Sequence, residues 1–137
     1  MFRWLAVVSA LFVFNCQAQL VITQAQVRLL PPGVPNTSAY FEIENIGDEA
    51  EVLVGAGGEI AHSIEIHEHI MTAETMKMVH LAELVIPPKQ SIKFQPGGLH
   101  LMIFGLVKPL NTGQSVKLYL QTQAGEQIEF EAIVARP

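Results

Sequence analysis

Cysteine is almost missing from this chain of 137 residues: Cys16 is the only one, and it stands close to the N-terminus. Everything beyond it therefore lacks the means to form a disulfide, a thiolate nucleophile or a thiolate-bound metal. Clustered positive charge is missing too. The 8 Lys and Arg residues are scattered without a basic run among 13 acids, for a net charge of −5. Such a balance excludes nucleic acid and anionic membrane surfaces as expected partners, because both attract concentrated Lys and Arg. A sustained helical period, an internal repeat, a linker and a low-complexity tract are all lacking as well. The length suits one domain with a sizeable core.

What is present at the N-terminus reads as an export signal. Met1-Phe2-Arg3 supplies a short positive start, and Trp4 to Phe14 is apolar apart from Ser9. Asn15-Cys16-Gln17-Ala18 ends the run with polar and small residues. This is the three-part pattern of a cleavable secretory signal, and the run is too short to span a bilayer. Residues 1–18 are thus expected to be the signal and 19–137 the folded domain, with cleavage after Ala18 and no stable membrane insertion. Lipid attachment at Cys16 would want a small residue before it, and Asn15 stands there. Cleavage after Ala18 leaves a cysteine-free domain that is indifferent to an oxidising compartment.

Past the signal, turn punctuation recurs at fairly regular intervals. The breakers are Pro31-Pro32-Gly33, Asn45 to Asp48, Gly55 to Gly58, Pro87-Pro88, Pro96-Gly97-Gly98, Asn111-Thr112-Gly113 and Ala124-Gly125-Glu126. Between them apolar and polar residues alternate, with Phe41 and Ile43, Ile92 and Phe94, Val116, Leu118 and Leu120, and Ile128 and Phe130 on the apolar faces. Short strands with regular turns predict a single all-β domain, an antiparallel sandwich or barrel with Greek-key links.

The chemistry-bearing residues are His67, Met78, His100 and Met102. Thioether sulfur is a soft neutral ligand, and imidazole suits several transition metals, so two of each point to monovalent copper before zinc, calcium or magnesium. Alternation puts Glu65, His67, His69 and Met71 on one face of a strand, opposite Ile64, Ile66 and Ile70. Met76, Met78 and His80 share a face of the next strand. His100, Met102 and Phe104 share one face of a third, opposite Leu99, Leu101 and Ile103. A four-residue hairpin through Thr72 to Thr75 would pair Met71 with Met76, His69 with Met78 and His67 with His80. His67 and Met78 then become diagonal neighbours about 7–8 Å apart. From strand geometry alone both His67 and His69 remain candidates. Met71 and Met76 read as a partly exposed, sulfur-rich rim, and His62 and His80 as surface residues.

These spacings resemble the periplasmic copper chaperones of the PCuAC family, whose signature is a His, ten residues, a Met, twenty-one residues and a His-x-Met. Here His67 and Met78 have ten residues between them, Met78 and His100 twenty-one, and His100-Leu101-Met102 completes the pattern. Glu65 to Glu68, Met76-Lys77-Met78, Pro96 to Met102 and Pro109-Leu110 are similar to the family's segments, as are Asn36 to Tyr40 and Asn45 to Asp48. The resemblance implies a cupredoxin-like β-barrel and a Cu(I) site of two His and two Met. It implies a role in carrying copper in the periplasm to cytochrome oxidase or its copper-assembly proteins. The family ligands fall on His67, Met78, His100 and Met102, which selects His67 over His69. Some relatives hold Cu(II) with a His- and Met-rich C-terminal tail. Glu131 to Pro137 has neither residue, so Cu(II) binding is expected to be weak, with His69 a partial substitute.

A monomer that accepts and releases copper without turnover is the expectation. An electron-transfer cupredoxin needs a Cys ligand, and a copper enzyme would need a substrate pocket or a nucleophile–base pair that nothing here supplies. The surviving alternative is a metal-free extracytoplasmic interaction domain, for which β architecture serves equally well. Glu65, Glu68 and Glu74 offer weak steering of the cation or of a basic partner.

Overall fold

The computed structural model describes residues 9–11 and 18–136. Most of the expected export signal, Cys16 included, lies outside the described residues. Among those described the regular structure is all strand: β1 (Leu20–Arg28), β2 (Thr37–Asn45), β3 (Glu51–Gly57), β4 (Ala61–Met71), β5 (Met76–His80), β6 (Leu84–Ile86), β7 (Ser91–Lys93), β8 (Leu99–Leu106), β9 (Ser115–Thr122) and β10 (Gln127–Ala135).

The strands follow the order β5-β4-β8-β2-β1-β10-β9-β3-β6, and a β3–β4 bridge at Ala56 and Ile64 closes seven of them into a barrel. Closure removes open sheet edges from the seven. The remaining three strands hang on the outside: β5 pairs with β4, β6 with β3, and β7 with β2. The β2–β8, β4–β8 and β3–β9 pairings join strands far apart in sequence. Such returns are the Greek-key links that the turn spacing predicts.

Alternation decides which side chains fill the barrel. In β2, Thr37, Ala39, Phe41, Ile43 and Asn45 are buried and the residues between them are more exposed. Ile64 and Ile66 of β4, Leu101 and Ile103 of β8, and Val116, Leu118 and Leu120 of β9 join the same core. Phe94 stacks on Phe41 with ring centroids 4.3 Å apart, and Phe130 tilts against Phe41 at 5.1 Å. Ile70 departs from the expected pattern. It is 41% exposed, because the far end of β4 runs past the barrel into the β4–β5 hairpin.

Gly55 to Gly58 also departs from expectation. Rather than a break, Gly55, Ala56 and Gly57 are part of β3, with a register shift against β9 between Leu53 and Gly55. A Cβ on Gly57 would overlap the Tyr119 ring. The glycine serves close approach of two strands rather than a turn.

Candidate metal centre

The outer face of β5, β4 and β8 carries the residues singled out by chemistry. Residues directly opposite in antiparallel strands share a face, so the register sorts them into rows. Met102 lies opposite Glu65, and Ser38 of β2 lies opposite Met102. The next row is His80, His67 and His100. Then come Met78 and His69, and at the hairpin end Met76 and Met71. This is the hairpin register expected from the sequence, and the Thr72–Thr75 connection is closed by Thr72 N–H donating to the Thr75 carbonyl at 2.8 Å.

The two imidazoles of the candidate quartet are the fixed part of this face. His67 and His100 are cross-strand neighbours with ring centroids 5.9 Å apart. They are 8% and 1% exposed, although both point away from the core. His100 Nδ1 is 3.1 Å from the Gly98 carbonyl. A carbonyl can only accept, so Nδ1 carries the proton and Nε2 is left with a bare lone pair. His67 Nε2 lies 2.7 Å from Glu65 Oε2, and the carboxylate in the same way fixes the proton on Nε2. Both remaining nitrogens, His100 Nε2 and His67 Nδ1, are buried without a hydrogen-bond partner, and so is His69 Nδ1. Buried nitrogens with lone pairs and no partner are costly unless something is to be bound there. Holding the other ring nitrogen in a hydrogen bond is how metal-binding histidines are commonly oriented.

The Pro96-Gly97-Gly98 turn makes this possible. Gly97 adopts φ +81°, a conformation open to glycine at little cost. The turn is closed by Gln95 N–H to the Leu99 carbonyl at 2.9 Å. It leaves the Gly98 carbonyl facing β4, where it accepts from the His69 backbone N–H at 3.2 Å as well as from His100. Burial holds the His100 imidazole below its ordinary pKa; the Gly98 hydrogen bond opposes this, while the His69 and His67 rings add to the lowering.

The two thioethers stand apart. Met78 is opposite His69 and Met102 opposite Glu65, so four residues of β4, roughly 14 Å at about 3.4 Å per residue, separate their rows. Only the row of His67 and His100 has a methionine row on each side within the quartet. Met102 is half-buried, with Ser38 Oγ donating toward its sulfur at 3.8 Å. Met78 sits on the exposed edge strand and is 46% exposed. Among the described residues, no group of three or more His, Cys, Asp or Glu side chains is placed to hold a metal ion.

Three neighbours escaped the sequence reading. Glu65 was legible only as an acid near the site, yet it is the hydrogen-bond partner of His67; its position two residues away on the same face was the available signal. His80, expected to be an ordinary surface residue, is exposed but stacks on His67 with centroids 5.4 Å apart. Ser38 is 64 residues from Met102 in sequence, and no local pattern reveals that pairing. Two surface grooves, about 760 and 550 Å³, border Arg28 and Arg136, and neither is lined by a histidine or methionine.

Comparison with known proteins matches residues 20–134 to the family described as "LpqE-like: Putative lipoprotein LpqE-like". The chain belongs to this family, the PCuAC family. A protein of Leifsonia xyli subsp. xyli described as a "Putative lipoprotein" is 31% identical over 106 residues, which is 76% of this chain and 62% of that protein. The chain thus spans under two thirds of that relative's length. Among solved structures, the apo PCuAC domain of PmoF1 is similar at 26% identity and a TM-score of 0.74, over 88% of this chain and 96% of that one. Cu(I)-DR1885 of Deinococcus radiodurans is 31% identical with a TM-score of 0.66, over 90% of this chain and 83% of that one. The PCuAC fold is the cupredoxin-like barrel expected from the sequence.

Proposed function

We propose that this protein is an extracytoplasmic copper carrier. It holds Cu(I) through His67, Met78, His100 and Met102 and passes the ion by ligand exchange to a copper site of a respiratory oxidase or to its assembly proteins. The observation that carries this reading is the row of two buried, oriented imidazoles with bare nitrogens, flanked on each side by a row bearing a thioether. A D. radiodurans relative solved with Cu(I) supports the choice of metal.

Each group has a distinct task. His67 and His100 are prepared before the ion arrives, because Glu65 and Gly98 fix their tautomers. Met102 is steadied by Ser38. Met78, on the hairpin, closes the site from the end opposite Met102. His67 lies between both thioether rows, which supports it over His69 as the ligand. All four donors are neutral, so binding moves no electron and the ion keeps its charge. An acceptor offering a thiolate gives the ion a charged soft ligand and draws it away. The absence of a thiolate donor beyond Cys16 suits release rather than permanent retention.

Residues 1–18 are the export signal in this reading, and the periplasm is the compartment. Although the family description includes the word lipoprotein, Asn15 before Cys16 favours cleavage after Ala18 over lipid attachment.

Titration with Cu(I) against a competing chelator tests the proposal. The unaltered protein takes one ion tightly, and Met102→Ala and His67→Ala each lose or strongly weaken that site. Equal affinity in all three proteins refutes the ligand set and leaves the metal-free interaction domain.

A further inference from the structure

Every methionine after Met1 lies on the one face just described: Met71, Met76, Met78 and Met102. The proposed site uses two of them. The other two, Met71 and Met76, are 72% and 56% exposed, although methionine is normally used to fill cores. They are also directly opposite one another in the hairpin. The Thr72 N–H to Thr75 carbonyl bond sets the phase of the ladder. It makes Met71 and Met76 a non-hydrogen-bonded pair, the kind in which facing side chains come closest, with Cα atoms about 4.5 Å apart. The same phase applies two residues on, to His69 and Met78. Met71 and Met78 are then diagonal neighbours at about 7–8 Å, within reach of two long side chains.

We infer that Met71 and Met76 form an outer Cu(I) site at the hairpin tip, which loads the inner site through Met78. The inference rests on the proposed Cu(I) site and extends it outward by one row. Thioethers need no deprotonation, and exposed sulfur can meet an ion that the buried imidazoles cannot. The face then reads as a track. The ion is first held by Met71 and Met76, gains a bond from Met78 Sδ, and exchanges the outer two sulfurs for His67 and His100 nitrogens before Met102 completes the set. Every ligand gained or lost along the track is neutral, so copper stays Cu(I) and no proton or electron is transferred. Glu74 in the connecting turn supplies negative charge beside the entry point.

The test uses the purified protein with 13C-labelled methionine methyl groups, titrated anaerobically with Cu(I). Met78 and Met102 signals are expected to move during the first equivalent, and Met71 and Met76 signals during the second. In Met71→Leu/Met76→Leu, which keeps apolar bulk but removes both sulfurs, the first ion binds with unchanged affinity. Its loading rate falls about tenfold, because the ion is no longer concentrated beside the inner site. Stationary Met71 and Met76 signals through two equivalents, or an unchanged loading rate in the double variant, overturn the inference while the inner site stands. Failure of the unaltered protein to bind a first ion removes the inner site itself, so the two outcomes are separable.

Discussion

The Nδ1–H of His100 donates to the carbonyl of Gly98 at 3.1 Å, two residues earlier in the chain. A turn that needs glycine thus fixes which nitrogen of a buried histidine is left free, and the backbone rather than a side chain is the orienting group. The consequence is a neutral ring in a place where a charged one would be poorly solvated.

Because the folded protein holds the His100 pKa below 6.5, the unfolded chain takes up the proton first as the pH falls. Its contribution to stability is full above that value and is lost as the pH drops from it toward the folded pKa. Urea unfolding of the metal-free protein at pH 7.5 and at pH 5.5 should show the loss. His100→Gln should flatten it, and an undiminished slope in that variant would assign the effect elsewhere.

Glu65 holds His67 from one side at 2.7 Å. Replacing such a supporting carboxylate weakens metal binding by about 10–100-fold in other sites. Since Glu65 is 36% exposed, the low end is expected for Glu65→Ala, measured by chelator competition, with Glu65→Gln retaining most of the affinity. A loss equal to that of His67→Ala would make Glu65 a ligand in its own right.

His69 provides the sharpest internal control. Its ring is 4.8 Å from that of His100, closer than His67 at 5.9 Å, yet only His67 is in the row between the two thioethers. Row position outweighs ring proximity if four donors must converge. His69→Ala should therefore reduce Cu(I) affinity little beside His67→Ala. The reverse order in a chelator titration would move the site by one row.

Gly57→Ala tests the barrel rather than the site. The added methyl meets the Tyr119 ring, and overpacking of this kind costs about 1–3 kcal/mol. Denaturant unfolding should show the penalty, and it should shrink in a Tyr119→Leu background. Equal penalties in both backgrounds would point to strand conformation and not to the tyrosine.

Much of this protein is determined locally. Period-2 alternation puts Ile64 and Ile66 inside and His67 outside, because successive side chains of a strand point to opposite faces. The Thr72–Thr75 turn sets the β4–β5 register by length alone, and the softness of Met and the neutrality of His state the metal preference without any coordinates. Ile70 and the Gly55–Gly58 stretch show where local pattern fails. Exposure depends on where the barrel ends, and a glycine can answer to a ring in a distant strand as readily as to a turn. Tertiary structure alone decided that β8 lies beside β4 in the register opposing His100 to His67, and that Ser38 meets Met102. Those pairings join segments tens of residues apart. They follow from closure of the whole barrel, where each strand's place depends on all the others.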